Sequence, residues 1–149
     1  MNYLAHKREK DGTTQSLKEH LENTAEMAGR FAEEFGAYDW GYCAGMLHDI
    51  GKYSAEFQRR INGSEEKVDH STAGAQLCWN MKDLHQFLSY CIAGHHSGLP
   101  DTGGKADTEG SLYGRLHKKI KAITKNMAMM MLRVMLIVLR IDLQLLQAK

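Results

Sequence analysis

A single proline, Pro100, interrupts the sequence, and no stretch alternates Val, Ile or Thr with polar residues in the period of two that a half-exposed strand requires. The long segments are filled instead with Ala, Leu, Met, Glu and Lys, which lose little side-chain freedom in a helix. The chain therefore reads as all-α. Its 149 residues fit one domain, and an apolar content of 43% suffices for one core without disulfides. Cys43, Cys78 and Cys91 lie in apolar stretches at no paired spacing, which predicts buried free thiols in a reducing, cytoplasmic setting. The first seven residues lack the apolar core of a secretory signal. Arg133, Arg140 and Asp142 break the apolar run 127–146 before it reaches the ~20 residues of a spanning helix, so that run predicts a buried terminal helix and no membrane contact.

Helical periodicity divides the chain. Ser16-Leu17-Lys18-Glu19 has the form of a capping box, and Leu17, Leu21, Thr24, Ala28, Phe31 and Phe35 follow at helical spacing, predicting a helix over 16–35 with His20 at the edge of its buried stripe. A second helix is expected from Asp39 or Trp40 to Ile50, stopped by Gly51, so that His48 and Asp49 fall in its last turn. Ser54 caps a short third helix through Phe57 and Ile61. Asp69 or Ser71 caps a fourth, in which Ala73-Gly74-Ala75 is small enough for close packing and His70 stands at the first turn. A fifth, from Leu84 to Ala93, presents Leu84, Phe87, Leu88, Cys91 and Ile92 on one face and ends before His95-His96. After a loop at 97–110 come a basic amphipathic helix carrying Leu112, Leu116, Ile120 and Ile123 and the Met-rich terminal helix.

His20, His48, Asp49, His70, His95 and His96 all sit at predicted helix ends or inward edges, positions that can converge inside a bundle. Neutral imidazoles suit divalent transition metals, and a carboxylate such as Asp49 can bridge two cations, so the set could hold one or two metals in a hydrolytic site. Two cations ~3.5–4 Å apart would stabilise both the attacking and the leaving oxygen of a phosphate ester. Lys52, just beyond Gly51, can reach the non-bridging oxygens. His6, His85 and His117 have no such context and read as ordinary polar residues. A net charge of +1 leaves polyanion binding to local clusters, Arg59-Arg60 and Lys118-Lys119-Lys121-Lys125, which also suit a solvated helix face. Tyr53 and Phe57 beside Arg59-Arg60 suggest a track for stacked bases, although the spacing of Phe57 and Ile61 also fits a core.

Leu47-His48-Asp49-Ile50-Gly51-Lys52 resembles the signature of the HD superfamily of metal-dependent phosphohydrolases. Its extension Tyr53-Ser54-Ala55-Glu56-Phe57-Gln58, with Asp69-His70-Ser71-Thr72-Ala73-Gly74-Ala75 and Gly94-His95-His96-Ser97-Gly98-Leu99-Pro100, is more narrowly similar to the HD nuclease domain of the CRISPR-associated type I helicase–nuclease. Tyr3-Leu4-Ala5-His6 and Ser16-Leu17-Lys18-Glu19-His20-Leu21 resemble the opening of that domain, and the likeness spans roughly residues 3–121.

The resemblance implies an HD-type helical bundle and a nuclease degrading the single-stranded DNA displaced by a guide-RNA surveillance complex. It implies that His20, His48 and Asp49 hold a first metal and that Asp49, His70, His95 and His96 hold a second, with Lys52 on the scissile phosphate. The expected metals are manganese, iron, nickel or cobalt, with magnesium as a further option. The family's late aspartate corresponds to Asp142, the one aspartate in 131–147, which stands in a shortened or altered late helix. The sequence carries no helicase motif, so a helicase subunit is an expected partner. Two other readings follow from the same residues. One is an HD phosphohydrolase acting on nucleotides, and the other is a catalytically weak fragment serving as adaptor or inhibitor of the CRISPR machinery.

Overall fold

The computed structural model describes residues 2–81, 85–107, 110–119, 128–130, 132–138 and 140. Helices α1 (Leu17–Glu33), α2 (Tyr38–Leu47), α3 (Ala55–Ile61), α4 (Ser71–Met81), α5 (His85–Gly94) and α6 (Leu112–Leu116) enclose the core, with a 3₁₀ turn, Ile50–Tyr53, between α2 and α3. The architecture is an all-α bundle with one addition. Strands β1 (Leu4–Lys7) and β2 (Thr14–Ser16) pair antiparallel ahead of α1. Such short strands carry no readable alternation. The hairpin is pinned from outside by Gln58 of α3, whose amide accepts from Leu4 N at 3.0 Å and donates to the Leu4 and Lys52 carbonyls at 2.9 and 2.8 Å.

The predicted caps form. Ser16 Oγ accepts from Glu19 N and Ser54 Oγ from Phe57 N, each at 3.2 Å. Asp69 rather than Ser71 caps α4, taking the Thr72 N–H at 3.1 Å. Each cap satisfies amides that the first turn of a helix leaves without a partner.

The stripe on α1 differs from the predicted one in its second half. Leu17, Leu21, Ala25 and Gly29 are buried, whereas Phe31 and Phe35 are exposed. The cause lies in α2, whose Gly45 lies against the Ala25 backbone and whose Gly41 lies against the Ala28 carbonyl, so that no side chain could be inserted at either position. Small residues bring the two helices together, and the large apolar residues fall outside the contact.

Further expectations need correction. Helix α2 ends at Leu47, not Ile50, and Gly51 does not stop it: Gly51 lies inside the 3₁₀ turn, against the His70 carbonyl, where a Cβ would collide with backbone. On α5 the buried residues are His85, Ser89, Ile92, Ala93 and Gly94, while Phe87 and Cys91 are exposed and Leu84 lies outside the described residues. The Ser89 hydroxyl donates to the Ala75 carbonyl at 2.8 Å, so a polar contact with α4 fixes the rotation of α5. Cys43 and Cys78 are buried as expected, and burial pushes both thiols up to about 12. The late helix is amphipathic rather than buried. Met130, Val134 and Val138 join the core at intervals of one turn, while Met129, Leu132, Met135 and Leu136 face outward. Ile120, Ile123, Lys121, Lys125 and Asp142 lie outside the described residues. No described helix is long and apolar enough to cross a membrane.

Gly74 shows how α4 is seated. A Cβ there would strike the Leu47 carbonyl oxygen, immediately before the His48-Asp49 pair. Ala is intrinsically better than Gly in a helix by about 1 kcal/mol, whereas overpacking a rigid contact costs about 1–3 kcal/mol. Gly74→Ala is therefore expected to lower stability by up to about 2 kcal/mol in urea denaturation; a variant more stable than the parent would contradict this packing.

Candidate metal centre

Four elements deliver side chains to one point. His20 comes from the first turns of α1, His48 and Asp49 from the junction of α2 with the 3₁₀ turn, His70 from the residue before α4, and His95 and His96 from the end of α5. Asp49 is at the centre, 2% exposed. Its Oδ2 lies 2.9 Å from His20 Nε2, 3.2 Å from His48 Nε2 and 2.8 Å from Lys52 Nζ. Its Oδ1 lies 3.3 Å from His70 Nε2 and 3.4 Å from His95 Nε2. His20 and His48 approach each other at 3.1 Å through Nε2, and His70 and His96 at 2.7 Å. All six metal-binding candidates that lie among the described residues are thus brought together.

The orientation of two imidazoles is set from behind. His48 Nδ1 lies 2.6 Å from the Gly45 carbonyl and His95 Nδ1 lies 2.7 Å from the Ile92 carbonyl. A carbonyl only accepts, so each Nδ1 carries the hydrogen, and in the neutral ring the lone pair on Nε2 faces Asp49. Two acceptors then confront each other at 3.2 Å for His48 and 3.4 Å for His95. Asp49 Oδ1 is buried with no hydrogen-bond partner among the described residues. A buried carboxylate oxygen facing an imidazole lone pair is costly unless a proton or a cation stands between them. The donor set therefore fits a divalent metal: Asp49, His70, His95 and His96 offer ligand atoms mutually within 4.8 Å, and so do His6, His20 and Asp49.

Burial would raise the pKa of Asp49, but His20, His48 and His95 outweigh it and hold the carboxyl far below its usual range. Burial, reinforced by the Lys52 ammonium and the neighbouring imidazoles against the pull of Asp49, pushes His70 down to about 4. Burial also lowers His96, with His95 adding to the effect. His95 is the exception, because contact with Asp49 and the bond to the Ile92 carbonyl overcome burial and raise it.

Lys52 is buried rather than solvated. Besides Asp49 it meets the Ala5 carbonyl at 3.3 Å, and it lies 5.3 Å from the centre of the Phe57 ring. The predicted stacking track does not form as read. Tyr53 and Phe57 are buried, Phe57 meeting His70 edge-on with ring centroids 5.2 Å apart, and Arg59 pairs with Glu66 at 3.2 Å. Arg60 instead lines a cleft of about 590 Å³ together with Lys7, Arg8, Lys52, His70 and His96. Lys118 is tied to Asp69 at 3.3 Å.

The three histidines that read as ordinary polar residues have different fates. His117 stacks on Tyr113, and His85 is buried against Trp40 with ring centroids 5.0 Å apart. His6 stands beside His20, with ring centroids 4.8 Å apart, and belongs with the site. Its signal in the sequence is the opening Tyr3-Leu4-Ala5-His6, which periodicity alone does not connect to a distant helix.

A protein-family model described as HD domain matches residues 17–142. No curated protein matches the chain.

The depressed His70 makes stability depend on pH. Between its ordinary value of 6.5 and about 4 the folded protein keeps His70 neutral while the unfolded chain takes up a proton, so acidification across that window favours unfolding. His95, with a raised value, acts in the opposite sense and only above 6.5. In chelator-treated protein the thermal midpoint is expected to fall as pH drops from 6.5 to about 4, and His70→Gln should flatten that slope; an unchanged slope would refute the assignment.

Proposed function

We propose that this chain, which belongs to the HD-domain family, hydrolyses phosphodiester bonds of single-stranded DNA. HD domains are metal-dependent phosphohydrolases, so the class of chemistry follows from membership. The observation that carries the metal-dependent part of this reading is the meeting of His20, His48, His70, His95 and His96 around the buried carboxylate of Asp49.

In this reading His20, His48 and Asp49 hold one divalent cation and Asp49, His70, His95 and His96 hold a second. Asp142, the late aspartate that the resemblance adds to the first group, lies outside the described residues. Manganese, iron, nickel or cobalt suits the imidazole-rich set, with magnesium as an alternative. When bound, such an ion supplies Lewis acidity toward phosphoryl oxygens and lowers the pKa of water. The protein's own contribution is orientation and charge. The Gly45 and Ile92 carbonyls hold His48 and His95 with Nε2 inward, as outer partners of metal-bound imidazoles do. Lys52 balances Asp49 from a buried position and is near enough to the cleft to meet a non-bridging phosphate oxygen. Phe57 packs edge-on against one side of His70.

The cleft supports a polymeric substrate. It is open rather than enclosed, it passes His70 and His96, and its rim carries Lys7, Arg60 and an Arg8 that pairs with Asp11, beside the acid Glu9. Backbone phosphates favour such a rim. The choice of DNA, and of a helicase subunit and a guide-RNA surveillance complex as partners, draws on the likeness of 69–75 and 94–100 to the CRISPR-associated nuclease.

Asp49→Ala is expected to remove most bound metal and to reduce cleavage of a single-stranded oligonucleotide with Mn²⁺, Ni²⁺ or Co²⁺ by more than the ~10–100-fold that a change in an outer partner costs. Full activity in this variant, or parent protein that carries metal yet leaves oligonucleotides intact while hydrolysing nucleotides, would refute the reading. The double variant Lys7→Glu with Arg60→Glu should raise KM for the oligonucleotide about 10-fold or more and make that KM less sensitive to salt than in the parent, while turnover of bis(p-nitrophenyl) phosphate stays unchanged; equal effects on both substrates would argue against the cleft as the strand path.

A further inference from the structure

We propose that His6, on strand β1, is a metal ligand, completing with His20 and Asp49 the coordination of the cation on the Oδ2 side of Asp49. The inference rests on the metal-dependent reading above and concerns a residue that lies outside both ligand groups assigned there.

The position of His6 is built by the fold. The β1–β2 ladder pairs Leu4 with Ser16 and His6 with Gln15, so two steps along β1 oppose one along β2, and the extra residue is Ala5. A bulge of this kind re-aims the side chains beside it. Here Ala5 is buried, and its carbonyl receives the Lys52 ammonium at 3.3 Å. His6 then projects into the cleft, its ring meeting that of His20 edge-on at 4.8 Å. The hairpin cannot drift from the site, because Gln58 joins Leu4 to the carbonyl of Lys52, three residues after Asp49.

The donor atoms of His6, His20 and Asp49 lie within 4.8 Å of one another. Nitrogen and oxygen ligands ~2.0–2.2 Å from one cation lie ~3–4.4 Å apart, so closing the group requires only a small rotation. His6 is free to make it, being the exposed member of the three. On the Oδ2 side the described residues otherwise offer only His20 and His48 beside the carboxylate, whereas the Oδ1 side has three imidazoles. His6 supplies a further imidazole on that side.

The test uses the full chain, stripped with chelator. Binding of Mn²⁺ is followed by calorimetry for the parent, His6→Ala and His6→Asp, and the histidine ring nitrogens of ¹⁵N-labelled protein are followed by NMR during titration with diamagnetic Zn²⁺. The expected result is a parent that binds two ions, a His6→Ala variant in which one of the two steps weakens about 10-fold or more while the other is retained, partial recovery in His6→Asp, and a metal-dependent shift of a His6 ring nitrogen. His6→Ala that binds both ions as the parent does, with the His6 nitrogens unmoved by Zn²⁺, would overturn the inference while leaving the metal-dependent reading intact. A parent that binds neither ion would overturn both.

Discussion

The carboxylate of Asp49 is the group around which the rest of the structure is arranged. It is almost fully buried, it is held ionised, and imidazole nitrogens approach both of its oxygens. Nothing in a helical bundle requires a charge at that position, and desolvating one is expensive without compensation. Lys52 provides part of that compensation directly. The remainder is left to histidines, two of which turn their inner nitrogens toward Asp49 because backbone carbonyls hold their outer ones. Something positive, a proton or a cation, must then stand between those nitrogens and the carboxylate, and this is why the donor set fits a metal.

Bringing five histidines from α1, the α2 junction, the start of α4 and the end of α5 to one carboxylate demands unusually close backbone approach. The chain meets the demand with small residues at the contacts nearest the site. Gly45 lets α1 and α2 touch one turn from His20 and just before His48. Gly51 accepts the His70 carbonyl, and Gly74 accepts that of Leu47. Each contact lies within four residues of a side chain that faces Asp49, so packing precision and site geometry are the same requirement. Gly51 illustrates this well: its φ is not positive, and what a side chain there would disturb is the backbone that carries His70.

Much of this is legible in the sequence because it is local. The caps at Ser16 and Ser54, the helical class of the chain and the adjacency of His48 with Asp49 are properties of a few neighbouring residues. The features on which periodicity misleads are those decided by a partner distant in sequence. Phe31 and Phe35 follow the helical period of Leu17 and Leu21, yet lie outside because glycines on α2 select the Ala25 and Gly29 face. Periodicity places Phe87 and Cys91 inside, whereas a hydroxyl contact between Ser89 and α4 turns α5 the other way. The hairpin is anchored to the bundle by Gln58, more than forty positions beyond β2, and the place of His6 is hidden for the same reason. Residue types alone point to convergence on Asp49, but their spacing does not fix it, since the loops between the contributing helices can take many paths.

The two oxygens of Asp49 are not equivalent, and the difference runs through the whole site. Oδ2 has an ammonium at 2.8 Å and faces the side from which the hairpin approaches. Oδ1 has no hydrogen-bond partner among the described residues and faces His70 and His95, with His96 behind them at the exposed edge. At Oδ1 a cation would meet uncompensated charge and displace no existing partner. At Oδ2 it would share the carboxylate with Lys52, so that additional donors matter more on that side than on the other. The same lysine can relax toward a phosphate only if another positive charge takes over at Oδ2. Ligand supply, the buried lysine and substrate contact are thereby coupled through a single carboxylate, which follows from placing one acid among five imidazoles and one amine in a space this small.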